Sequence, residues 1–159
     1  MHQRALIAAV PDDKWPSHVA ECVRATAPGG WVELGEMNGT VHGAGPAAAR
    51  MAGWSDELAR VHGIKTDIAD CLKDMMEQAG LVNVTAKVYQ IPVGSWGGRV
   101  GEMAWTDCRS GLTAISSTLA TLNEATKEEV LATIEEMGEE TNRTHGYFMY
   151  NKFLGQKPE

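Results

Sequence analysis

The sequence predicts an α/β fold, on three observations. Three stretches, 31–37, 82–93 and 147–154, have the composition of strands, and amphipathic helical stretches separate them. Ala27-Pro28-Gly29-Gly30 closes a helical stretch with a tight turn: Pro28 presets φ at the first central position, and Gly29 supplies the positive φ that a type II turn needs at the next. Trp31, Val32 and Leu34 then form a short apolar run. Glu36 falls where that strand runs out, the end at which open α/β sheets bind ligands.

In chain order, residues 3–10 read as a short apolar helix or helix turn, broken by Pro11. Asp12 and Asp13 open a second helix with acids at its positive end, and Trp15, Val19, Cys22 and Val23 share one face of it. After the first strand, 38–46 is a glycine-rich loop that holds His42. A helix follows over about 47–61, with Trp54, Leu58 and Val61 on one face and His62-Gly63 as its stop. Asp67 is the expected N-cap of the next helix, whose stripe is Ile68, Leu72, Met75, Met76 and Ala79, with Gly80 at the C′ position. Over 82–93, Val82, Val84, Ala86 and Val88 alternate with Thr85, Lys87 and Tyr89, the pattern of a strand with one buried face. Residues 95–99 form a loop centred on Trp96. The spacing of Cys108, Leu112, Ile115, Leu119 and Leu122 predicts one long helix over 100–122. Thr126 followed by Glu129 is a capping box, opening a helix with Val130, Leu131, Ile134 and Met137 inward and a stop at His145-Gly146.

Composition bounds the function. At 159 residues, the chain is long enough for one domain, 1–159, with a core of its own. A net charge of −7 disfavours nucleic acid as the main partner. Cys22, Cys71 and Cys108 are far apart and odd in number, which suits buried thiols in a reducing compartment and neither a disulfide frame nor a metal site. No apolar run spans a bilayer and the N-terminus has no signal-peptide pattern, so the reading is cytoplasmic, without a membrane partner.

Four segments carry a family resemblance. Residues 27–37, APGGWVELGEM, are similar to the PGG-strand-acid segment of class I S-adenosylmethionine (SAM)-dependent methyltransferases, and in particular of the fungal LaeA-like secondary-metabolism group. His2-Gln3-Arg4-Ala5-Leu6 resembles the segment just after that family's fourth strand. Residues 77–84 resemble its helix-to-strand passage, and Gly155-Gln156-Lys157-Pro158 its closing motif. The resemblance implies a partial Rossmann-like methyltransferase fold: about three strands in a mixed sheet flanked by helices, the last inserted antiparallel between the other two, without the N-terminal cofactor-binding strands. It implies SAM as cofactor, although the family's glycine-rich loop and ribose-holding acid are absent from these residues. The implied role is the C-terminal, substrate-side half of an enzyme that methylates a small molecule.

That reading leaves strand 31–37 as a sheet edge with unpaired backbone groups. The edge offers a homodimer or a heteromer through 31–37, or marks a truncated gene product. A rival reading is a non-catalytic, methyltransferase-like interaction or regulatory module that pairs through this edge. A third is small-molecule binding at the Trp96 loop without methyl transfer.

The candidate site residues each have two readings. His2 and Arg4, by the resemblance, border the cofactor; otherwise they are polar residues of a frayed terminus. Glu36 orients a substrate hydroxyl or amine, or is a solvated strand end. His42 is a general base near neutral pH, or an idle loop histidine. Trp54, Trp96 and Trp105 line an apolar substrate pocket, although Trp54 and Trp105 also sit by apolar helix faces and suit the core. The His, Cys and acid spacings give no metal constellation.

Overall fold

A computed structural model describes all 159 residues. Its elements are β1 (His2–Arg4), α1 (Trp15–Ala25), β2 (Trp31–Met37), α2 (Pro46–Val61), α3 (Leu72–Gln78), β3 (Val82–Pro92), α4 (Gly98–Ala114), α5 (Ser116–Leu122), α6 (Lys127–Thr144) and β4 (Tyr147–Gln156). The fold is α/β, with one mixed sheet in the order β1-β2-β4-β3.

The sheet has four strands, not three. β1 runs parallel to β2 in the register His2↔Glu33, Gln3↔Leu34 and Arg4↔Gly35, and β4 runs antiparallel to β2 along its whole length. The Glu33 amide donates to the Met1 carbonyl at 2.9 Å and the Ala5 amide to the Gly35 carbonyl at 2.9 Å. The N-terminal amine donates to the Trp31 carbonyl at 2.8 Å. The edge expected at 31–37 is therefore not an edge: β2 is interior, and the outer strands are β1 and β3. Of the helix or helix turn expected over 3–10, only a turn at 6–10 forms, because His2–Arg4 is strand. Ala5 takes a positive φ of 54° that ends β1, and the chain then turns on amides of Ala9 and Val10 that donate to the Leu6 carbonyl.

The chain divides into two compact units. The first comprises 1–38, 62–89 and 150–159. Its core joins Trp15, Val19 and Cys22 of α1 to Val32 and Leu34 of β2, Ile68, Leu72, Met76, Leu81 and Phe153. The period-2 alternation of β2 puts Val32, Leu34 and Glu36 on the buried face and leaves Trp31 48% exposed on the other. The second unit comprises 39–61 and 90–149. Its core is helical: Ala47, Ala48 and Met51 of α2, Leu119 and Ala120 of α5, and Val130, Ile134 and Met137 of α6.

Three further expectations need correction. The helix over 100–122 is two helices, because the chain leaves helical geometry at Ile115, where Ser116 Oγ donates to the Thr113 carbonyl and competes with the ladder. The alternation in β3 does not bury one face: Val82 and Val88 are 46% and 49% exposed, because β3 is an outer strand and Val84 is its contact with the core. Asp67 makes no side-chain cap; it pairs with Lys65 at 3.3 Å, and α3 is entered through a 3₁₀ turn, Ile68–Asp70. The capping box at α6 is present in full, with the Glu129 amide donating to Thr126 Oγ1 at 3.1 Å and the Thr126 amide to Glu129 Oε2 at 2.7 Å. No helix is long and apolar enough to cross a membrane.

Candidate functional site

In the first unit, Glu36 is fully buried, so it is not a solvated strand end. Its position on the inward face of β2 aims the carboxylate at the turn after β1. Oε1 accepts from the Leu6 amide at 2.8 Å and from Gln3 Nε2, and Oε2 from the Ile7 amide at 3.2 Å. Burial pushes the Glu36 carboxyl above the usual carboxylate range, against the opposing pull of these donors. The carboxylate thus staples the Gln3–Ile7 segment to the end of β2.

His2 and Arg4 lie on β1, on the sheet face opposite to Glu36, as the register with Glu33 and Gly35 requires. His2 is not frayed: its Nδ1 sits 3.1 Å from Glu33 Oε1, and Glu33 Oε2 in turn pairs with Lys152 Nζ at 2.9 Å. Lys152, followed by His2, holds the Glu33 carboxyl below its usual range. Arg4 is exposed beside this network.

In the second unit, His42 is held from both sides. Its amide donates to the Tyr147 carbonyl at 2.8 Å and its carbonyl accepts from the Tyr147 amide at 3.0 Å. The two rings stack with centroids 5.6 Å apart. His42 Nε2 is buried and has no hydrogen-bond partner in the chain. The histidine is therefore ordered, with one ring nitrogen uncommitted.

The three tryptophans separate. Trp54 and Trp105 are half-buried against the helical core, and Trp105 lies so close over Gly138 that a Cβ there would meet its ring. Trp96 is 40% exposed. Its indole N–H donates to the carbonyls of Val93 at 3.0 Å and Gly146 at 3.1 Å, and its ring leans on His145 at 4.8 Å. Asn142 Oδ1 accepts from Ser95 Oγ at 2.8 Å and fixes the same loop. Trp96 is thus a locked, accessible ring; Trp105 packs against the helical core, and Trp54, besides packing there, lines a surface pocket with Arg50, Glu129 and Glu136.

One polar residue escaped the sequence reading. Glu140, on α6, is 2% exposed and accepts from the amides of Ala47 and Ala48 at 3.0 and 3.1 Å, in the first turn of α2. It sits in an acid-rich helix that reads as a solvated face, and its signal was only its place one turn beyond Met137 on the buried side. No group of His, Cys, Asp and Glu is arranged to hold a metal ion.

No family model matches the sequence. The chain is similar to fungal methyltransferases. It is 27% identical over 172 residues to methyltransferase pytC of Aspergillus terreus, covering 99% of this chain and 52% of that protein. It is 29% identical over 164 residues to N-methyltransferase tcpN of Claviceps purpurea, covering 96% of this chain and 58% of that one. The chain spans about half the length of the curated relatives it matches. Its fold matches phosphoethanolamine N-methyltransferase 2 of Haemonchus contortus, solved with phosphomonomethylethanolamine and S-adenosylhomocysteine. The TM-score is 0.50 at 12% identity, over 99% of this chain and 33% of that one.

Proposed function

We propose that this chain is the C-terminal, substrate-side part of a SAM-dependent methyltransferase of the LaeA-like group, acting in the cytoplasm on a small-molecule acceptor of secondary metabolism. The observation that carries this reading is the chain-long similarity to two fungal methyltransferases. The α/β fold with its β1-β2-β4-β3 sheet supports it.

SAM, when bound, supplies a sulfonium methyl group for in-line attack by an acceptor lone pair. The residues present here do not build a nucleoside site by themselves: His2 is engaged by Glu33, and Arg4 is exposed on a three-residue outer strand. They border such a site, and the grip on the cofactor comes from outside these residues. His42 has the part of general base. Its ring is fixed by Tyr147, and an imidazole is the group suited to take the proton that an acceptor N–H or O–H must lose as the new bond to carbon forms. Glu36, with both oxygens occupied, serves by fixing the Gln3–Ile7 segment. Trp96 offers a rigid apolar wall to the acceptor.

The test is transfer of a labelled methyl group from SAM to a panel of small amines and phenols, by this chain mixed with the N-terminal part of methyltransferase pytC. Transfer is expected only with both parts present. His42→Ala is expected to slow it on the order of 10²-fold while leaving the far-ultraviolet circular dichroism unchanged. No transfer to any acceptor by the mixture would contradict the reading.

A second reading, an interaction module without catalysis, is favoured by one feature: β1 is an outer strand, and its outer side can add a strand from another chain. Pairing would then use His2–Arg4 and not 31–37. Light scattering on the chain, alone and with candidate partners, decides it, since this reading requires a mass above that of the monomer.

A further inference from the structure

The two outer strands of the sheet, β1 and β3, differ in what they leave open. β1 has three residues, whereas β3 has eleven. Outside the sheet ladder, no backbone group of β3 pairs with another backbone group. Its outer side therefore presents a row of N–H and C=O groups, in a strand long enough to take on another.

Edges of this kind are commonly blunted by charge, by proline or by shortness. β3 has little of that protection. Lys87 is its one charged residue, and Pro92 comes last in it. The Lys87 ammonium is drawn back over the Tyr89 ring of the same strand, 4.9 Å from its centroid. Residues 85–90 are all exposed, with Val88 at 49% and Tyr89 at 38%. Apolar side chains left in water beside an open ladder gain from both packing and pairing.

The order of residues along β3 says what fits this edge. Antiparallel strands of one continued sheet set side chains of the same face opposite each other. For a second copy of the strand, the two-fold axis then passes through a residue position. Centred on Ala86, it sets Val84 opposite Val88 of the second copy and Thr85 opposite Lys87 of the second copy. Two valine pairs form on one face, and on the other each Lys87 ammonium donates to a threonine hydroxyl. Moving the axis one residue toward the C-terminus sets Lys87 against its own copy, a like-charge pair. Moving it one residue toward the N-terminus draws Asn83, left-handed at φ 53°, into the ladder. The strand is self-complementary about Ala86, in its charge and in its apolar side chains.

We propose that the chain forms a two-fold dimer by antiparallel pairing of β3 with β3 of a second copy, centred on Ala86, so that the two sheets run on as one. The contact uses the same surface on both subunits and closes at two. It is independent of the methyltransferase reading, and it leaves the outer side of β1 free.

The test is light scattering on the whole chain over about a hundredfold range of concentration, beside cross-linking that reads the register. The mass is expected to climb toward twice that of the chain. Thr85→Lys sets a like charge against Lys87 of the second copy and is expected to raise the dimer dissociation constant about tenfold. Thr85→Glu turns the same contacts into ion pairs and is expected to lower that constant severalfold. Thr85 is exposed, so neither change touches the core. Ala86→Cys brings two thiols together on the axis, within disulfide reach, and is expected to cross-link on mild oxidation. Thr85→Cys is expected not to, because its two Cα atoms lie more than about 7 Å apart in this register. The unchanged chain, with free Cys22, Cys71 and Cys108, is the oxidation control. A mass that stays at one chain across the range would overturn the proposal. So would association that both charge variants leave unchanged, which assigns the contact to another edge, or cross-linking at position 85 as fast as at position 86.

Discussion

In the sheet-containing unit the buried carboxylate belongs to Glu36, at a strand end, and its backbone donors are the amides of a turn. In the helical unit it belongs to Glu140, in the last two turns of α6, and its donors are amides in the first turn of α2. Those donors also carry the positive end of the helix dipole, which a turn lacks. Both residues are acids that count as catalytic suspects on burial alone, and both have their oxygens engaged by backbone N–H groups. The difference lies in what each holds: Glu36 fixes a segment next to candidate site residues, whereas Glu140 fixes a helix start.

The largest expected effect breaks or sharpens this contrast. Glu140→Ala strands two buried amides at a helix N-terminus and should destabilise by roughly 3 kcal/mol, read from urea denaturation. Glu36→Ala should cost less, roughly 2 kcal/mol, because a turn can reorient its amides toward water. Equal costs, or the reverse order, would show that the helix start gives Glu140 no advantage.

Next come two glycines. A Cβ at Gly101 would fall on the backbone carbonyl of Gly94, which cannot step aside, and Gly101→Ala should cost about 1–3 kcal/mol. A Cβ at Gly35 would meet the Tyr150 hydroxyl, the far end of a side chain that can swing. Gly35→Ala should cost less than Gly101→Ala in the same denaturation assay. Thr126→Ala removes the acceptor for the Glu129 amide and should cost about 1 kcal/mol, with Thr126→Ser restoring most of it.

The smallest effect is a slope. Because the folded state raises the Glu36 carboxyl above its ordinary value, its contribution is fully present below that value and is lost as pH rises through the folded one. Glu36→Gln cannot titrate. Its urea midpoint should therefore fall less than the wild-type midpoint as pH climbs out of the ordinary carboxylate range. Parallel curves would mean that the hydrogen bonds offset burial completely.

Local chemistry made much of this fold readable. The PGG turn into β2 and the Thr126/Glu129 box are short-range signals that tertiary contacts did not override. The stop at His145 is of the same kind, with that residue in the left-handed conformation at φ 59°. β1 was hidden because three residues show no period, and its pairing depends on a partner 31 residues away. The break at Ile115 was hidden because the apolar spacing continues across it while a serine hydroxyl interrupts the ladder. The exposure of β3 follows from its outer place in the sheet, which alternation does not encode. At the candidate site, the residue types were visible but not their commitments: Glu36 reads as an available acid until its three donors are seen, and Glu140 as one more surface charge.

The proposed function has this chain hold the substrate side of a methyltransferase and only border the cofactor. Calorimetric titration of the pure monomeric chain with SAM tests it most directly. The account predicts no saturable heat in the micromolar range; one-to-one binding at micromolar affinity would contradict it.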